Sequence, residues 1–289
     1  GCSPGKYFVN NHCSSCSPGK YQPCSSNTAC SNCPCGKFSA SSSSSCSNCP
    51  SGKFSDLSAS VCSNCPSGKY NSIINSCSCS YCKAGTYSLV GYSSCLNCNS
   101  GYYQANTGQS ICSSCKPGSI STSGAQVCDL CLEGYYQAKS GQSVCSICPI
   151  GKFSKGNGNI VCSDCPAGKS SNSPGQGGCG TCPSGKYAPI GSSSCFLCDV
   201  GSYSTIGTHT CVLCPTGEFQ SNQGQSSCQK CASGKISFSE GSSQCILCNP
   251  GLYQNSFGQT SCLTCSSGRY SLSGSSQCTS CTYGKYNPN

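Results

Sequence analysis

The 289-residue chain contains no methionine and no tryptophan, and only 8% of its residues are charged. Leu, Ile, Val and Phe together make up about 13% of it, a share that in a cysteine-free chain would signal disorder. Such a chain cannot build an ordinary apolar core. No apolar run is long enough to span a membrane, and no helical periodicity is present. The two histidines, His12 and His209, are isolated. The seven carboxylates, Asp56, Asp129, Glu133, Asp164, Asp199, Glu218 and Glu240, are scattered apart from Asp129 and Glu133. That excludes a recurring acid–base pair and gives calcium too few clustered oxygens. No Gly-x-Ser-x-Gly elbow with a histidine partner occurs. We therefore expect no enzyme and no cofactor. The net charge of +9 is thinly spread over a Ser- and Gly-rich chain, which is not the footprint of a nucleic-acid binder. Asn-x-Ser/Thr acceptors are also missing, so the glycans expected are O-linked on Ser and Thr, especially around Ser41 to Ser45.

What the chain does have is cysteine, 38 residues of it. That density marks a disulfide scaffold in which cross-links replace a core, and it places the protein in an oxidising, extracellular or surface-exposed setting. The cysteines are periodic. Seventeen Cys-x-x-Cys pairs begin at Cys13, Cys30, Cys46 and Cys62 and continue to Cys278, always 16 or 17 residues apart. We call the second cysteine of a pair the opener and the first the closer. Glycine stands three residues after each of 18 openers, from Gly5 to Gly284. An aromatic follows at plus five in 15 of the 18, the exceptions being Ile120, Ser170 and Ile236. A second glycine stands four residues before each pair from Gly91 to Gly274.

Each repeat thus reads as a tight turn, a short extended segment, a second turn and a return to cysteine. The fold class expected is one of small disulfide-rich repeats, an elongated rod or solenoid with short β segments and turns and essentially no helix. Residues 1–81 form an irregular section with additional cysteines (Cys24, Cys35 and Cys77), and 82–289 a regular section. Both ends fall out of frame with the repeat, so a window cut from a longer array is expected.

Spacing leaves two connectivities open. In one, each opener bonds the next closer: Cys2–Cys13, Cys16–Cys30, Cys33–Cys46, Cys49–Cys62, Cys182–Cys195, Cys198–Cys211 and Cys265–Cys278 among others. In the other, pairs interleave. We prefer the first, because a uniform step suggests one bond per repeat, and a loop of about 15 residues gains roughly 3 kcal/mol on closure. Rungs of that kind would touch only their neighbours. Under this scheme Cys24 and Cys35 could bridge adjacent loops, Cys77 competes with Cys79 for Cys65, and Cys281 awaits a partner. Zinc is the rival reading, but it needs thiolates in a reducing compartment, and the spacing between pairs is slightly short for a zinc ribbon.

Lys or Arg stands between the first glycine and the aromatic in 11 of 18 repeats, among them Lys53, Lys69, Lys152, Lys169, Lys186 and Lys285. Stacked in register they would form a candidate polyanion stripe; the plainer reading is a solvated face that keeps edges from aggregating. The plus-five aromatics read as rung-to-rung packing over the disulfides.

The string Cys-Pro-Ser-Gly-Lys-Tyr, at Cys65–Tyr70 and again at Cys182–Tyr187, resembles the opening of tumour-necrosis-factor-receptor-like modules. In tandem, Cys-x-x-Cys-x-x-Gly-x-Tyr/Phe resembles more closely the ephrin-receptor-like cysteine-rich repeats. Over essentially the whole chain, that resemblance implies an elongated, non-enzymatic ectodomain. It is shared with arrays in protist surface proteins and flagellar hairs. The function expected is an extracellular structural protein in a fibre, flagellar-hair-type filament or surface coat. The alternative is the stalk or ligand-binding ectodomain of a cell-surface receptor or adhesin. Self-association or other extracellular matrix or fibre proteins are the partners expected.

Overall fold

The computed structural model describes residues 1–24 and 28–282; Gly284 and Lys285 lie outside them. Two compact units are present, one of Gly1–Cys131 with Gln137–Cys145, the other of Leu132–Tyr136 with Ser146–Asn289. Both are built from small disulfide-closed repeats with short β segments, and no helix occurs among the described residues. The apolar residues are too few and too widely spaced to hold a longer strand, and all but the first hairpin use two-residue strands. Each hairpin pairs the two residues after the first glycine with the two residues inside the next Cys-x-x-Cys. Lys186 lies opposite Leu197 and Tyr187 opposite Phe196, and the same register brings Lys53 opposite Asn64 and Phe54 opposite Ser63.

The disulfides run from opener to next closer: Cys2–Cys13, Cys16–Cys30 and Cys33–Cys46, Cys49–Cys62, Cys182–Cys195 and Cys198–Cys211, and Cys265–Cys278. The openers are the core. From Cys16 to Cys248 each is 0–1% exposed, and the only other apolar side chains buried among the described residues are Cys162 and Ala188. Conventional core residues are turned outward instead; Val61, Val127 and Ile190 are all more than 60% exposed.

Backbone hydrogen bonds join successive repeats by one recurring scheme. In the repeat opened by Cys182, the Cys182 N–H donates to the Gly168 carbonyl at 2.9 Å. The Gly185 N–H donates to Ser204 at 2.9 Å, and the Cys182 carbonyl accepts the Gly207 N–H at 2.9 Å. The Lys186 N–H closes a tight turn on Pro183 at 3.2 Å. Gly185 occupies the third position of that turn with φ +80°, the position at which type II geometry demands a positive φ.

The expectation that rungs touch only their neighbours is corrected. A Cβ built on Gly185 would lie 2.0 Å from the carbonyl oxygen of Gly224, two repeats on. The same approach joins Gly5 to Ser42, Gly52 to Gly91 and Gly201 to Gly241. Glycine is therefore required twice over, for its φ and for the room it leaves. Successive turns of backbone pack at a distance that no side chain allows, so repeats such as those opened by Cys2, Cys49 and Cys182 contact both the next repeat and the one after it.

The extra cysteines follow the same geometry. Cys35 bonds Cys77, in the second repeat on, next to the site where Gly36 meets Asn75. Cys79 bonds Cys65. The bridge expected between Cys24 and Cys35 is thus replaced by one that staples second neighbours, and Cys24 and Cys281 are left as thiols. Nor does the lack of a second glycine in the early repeats change the turn. Ser42, Ser58 and Asn75 adopt φ of 59°, 61° and 62° there, a left-handed conformation that Ser and Asn accept at modest cost.

Candidate functional site

With no singular cleft in the sequence, the candidate site is a set of repeated positions. Among the described residues the plus-four positions, Lys53, Lys69, Lys152, Lys169 and Lys186 included, lie one to a hairpin, so no two share a β pair. Lys53 faces Asn64. Lys69 lies opposite Tyr81 with its ammonium 4.2 Å from the ring centroid. Lys169 faces Thr181 and Lys186 faces Leu197. Lys152 is different: its Nζ is 2.6 Å from Asp164 Oδ1, the sole ion pair among the described residues. With both side chains about half exposed, that pair contributes little to stability, but it neutralises the cation. The residue opposite the plus-four side chain reaches the second turn two repeats away, as Leu197 does at Gly224 and Thr181 at Gly207; at Gly141 the plus-four Tyr102 lies there beside Ser114.

The plus-five aromatics from Tyr7 to Tyr253 are half-buried, whereas Tyr270 is exposed. Tyr187 and Phe196 approach with ring centroids 5.8 Å apart and tilted planes, a geometry favoured by aromatic quadrupoles. No three His, Cys, Asp or Glu side chains gather to hold a metal among the described residues.

Sequence reasoning missed the plus-six position. From Gln22 onward, Ser39, Ser55, Asn71, Ser88, Gln104, Ser204, Gln220 and the other plus-six residues among the described residues are all at most 8% exposed, whereas Phe8 of the first repeat is exposed. They carry the polar half of the core in two ways. Serines such as Ser55 and Ser204 donate the hydroxyl back to the plus-four carbonyl of the preceding repeat, Lys37 and Lys186, each at 2.9 Å, while Ser171 and Ser237 donate to Ser173 and Ser239 in their own repeats. A glutamine stays within its own repeat: Gln220 Nε2 donates to the Ser227 carbonyl at 2.8 Å, and Gln220 Oε1 accepts the Asn222 N–H at 3.1 Å. Gln104, Gln137 and Gln254 repeat this pattern. These glutamines stand in repeats whose disulfide spans 14 residues, whereas Ser55 and Ser204 stand in repeats that span 13. The longer side chain bonds the backbone of the longer loop. A sequence signal existed in the narrow choice of Ser, Gln, Asn or Ala at plus six from Gln22 to Ser271, with glutamine confined to the longer loops.

This pairing makes a prediction. Gln220→Ala leaves the Ser227 carbonyl and the Asn222 N–H without their partner in a half-buried loop, at a cost of about 1–3 kcal/mol. Hydrogen exchange in the 214–228 loop should accelerate roughly tenfold or more, while the repeat opened by Cys148, four repeats earlier, is unaffected. Unchanged protection in the 214–228 loop would refute the role given to Gln220.

The repeats together define a class: a cysteine-rich, extracellular-type scaffold made by stacking disulfide-closed loops. The family described as "Tyrosine-protein kinase ephrin type A/B receptor-like" matches residues 85–123, 118–158, 201–243 and 234–271, just over half of the chain, and the chain belongs to that family of repeats. The matched segments open on the first glycine of a repeat. In two of them the end falls beside the turn that stacks on that glycine: Gly85 meets Gly124, and Gly201 meets Gly241. No curated protein matches the chain.

Proposed function

We propose that the chain is a load-bearing structural element of an extracellular fibre, filament or surface coat. The observation that carries this reading is the sameness of the contacts. The repeats opened by Cys49, Cys82 and Cys182 each hand the same hydrogen bonds to the next repeat and the same glycine contact to the second next. A ligand-binding ectodomain concentrates its chemistry in one or two places; a spacer or fibre repeats its own joints. Partners in this reading are further copies of the chain or other matrix proteins, with O-linked glycans on the exposed Ser and Thr residues.

The second reading is a receptor or adhesin stalk. It draws on the departures from uniformity within the first 82 residues, namely the Cys35–Cys77 staple and the exposed Cys24 thiol. Negative-stain microscopy of the oxidised chain separates the two. Filaments of one diameter that lengthen with concentration are the expected result. Single particles at every concentration would overturn the fibre in favour of the stalk.

A further inference from the structure

The geometry points to a binding surface for a sulfated or carboxylated polysaccharide along the first five repeats, built from Lys6, Lys20, Lys37, Lys53 and Lys69. Four observations combine. First, the charge is segregated: residues 1–83 hold six lysines against one carboxylate, Asp56, while the remaining 206 residues hold ten cations against six. Second, the five lysines occupy one equivalent position in five consecutive repeats, each the first residue of its hairpin strand. Because the repeats join by the same bonds each time, the cations follow one another around the stack at a constant step. Third, the residues opposite them are Ser15, Asn32, Asn48, Asn64 and Tyr81. These residues donate or accept hydrogen bonds, and none of them neutralises a charge.

Fourth, no ion pair within the described residues engages any of the five, in contrast to Lys152, held by Asp164. Each of the five residues is half-buried, as suits a lysine whose stem packs against the protein, and the ammonium of Lys69 lies over the Tyr81 ring. A linear polyanion with charges at a regular spacing complements a regular row of cations, and the serine and asparagine side chains beside them suit the hydroxyls of a sugar. The row stops after Lys69, since Thr86, Tyr102, Ser119 and Tyr135 follow at the same position.

The test uses the whole oxidised chain and heparin as the sulfated-glycan probe. The parent should bind immobilised heparin, and its affinity should fall on the order of tenfold or more between 50 and 200 mM salt as counterions compete. Changing all five lysines to Gln should weaken binding at least tenfold, whereas Lys152, Lys169 and Lys186 changed together to Gln should alter it less than threefold. The five-fold Lys→Arg variant, which keeps the charge, should retain binding. Thiol counting identifies misfolding of the Gln variant; in that event, single Lys→Gln changes should each reduce affinity measurably while leaving two thiols per chain. The proposal is overturned if the parent does not bind heparin, if both Gln sets lose binding equally, or if phosphatidylserine vesicles are bound and heparin is not. The outcome is independent of whether the chain forms filaments.

Discussion

Gly185→Ala is expected to open the stack around it, with a loss above about 3 kcal/mol in local stability. Two costs add. The new Cβ sits on a backbone with φ +80°, which disfavours an L side chain by roughly 1–2 kcal/mol. It also meets the Gly224 carbonyl oxygen at 2.0 Å and its carbon at 2.5 Å. The obstacle is backbone rather than a side chain that could swing aside, so the two repeats must separate by about an ångström, which forfeits dispersion contacts along the seam. The hydrogen bonds that Gly185 makes, from its N–H to Ser204 and from Cys198 N–H to its carbonyl, are strained by the same shift. Gly156 supplies the control. It has φ +72°, but nothing lies within 4 Å of its Cβ direction, so Gly156→Ala should cost only the conformational part, about 1–2 kcal/mol. Hydrogen exchange of the Gly207 and Gly224 amides reads the first; that of the amides in the 148–162 loop reads the second. Equal effects would show that the close approach does not hold the stack.

Reduction is expected to abolish the fold altogether, and chelation to leave it intact. The interior consists of openers and plus-six polar residues, while the aliphatic side chains that might hold a reduced chain together are mostly outside. Each loop also loses roughly 3 kcal/mol of closure stabilisation when its bond is cut. A reduced chain should therefore lose amide protection throughout and expand toward unfolded dimensions in small-angle scattering. Incubation with a chelator at constant oxidation should change neither. Protected amides that survive complete reduction would mean that something other than the disulfides carries the structure. Protection lost to the chelator would revive the zinc reading.

Much of this architecture was legible in the sequence, because period, turn glycines and cysteine spacing are local signals. The turn at Gly185 follows from its position three residues after Cys182, and the short strands follow from the lack of room for longer ones. The second-neighbour contact was not legible. It depends on how one repeat is carried onto the next, and a one-dimensional period contains no such operation. The Cys35–Cys77 bond was misread for the same reason, since proximity along the chain favoured Cys24 as the partner. The plus-six residues escaped notice because Ser and Gln are usually surface residues. Here they are buried with their hydrogen bonds made internally, in keeping with the rule that buried polar groups are paired. The lysine row was visible as a pattern, but its division into neutralised and unneutralised members rests on Asp164, twelve residues from Lys152 and opposite it only in the folded hairpin.

The reach of each repeat to the second one along also sets the order in which the molecule can be made. Gly185 receives its covering turn only when Gly224 has emerged, roughly 40 residues later in synthesis. The disulfide of a repeat closes on its own residues, but the backbone seam waits for two successors. During secretion the growing end is therefore always a short stretch of cross-linked yet unseated loops, trailing behind it a finished stack that advances at the pace of translation.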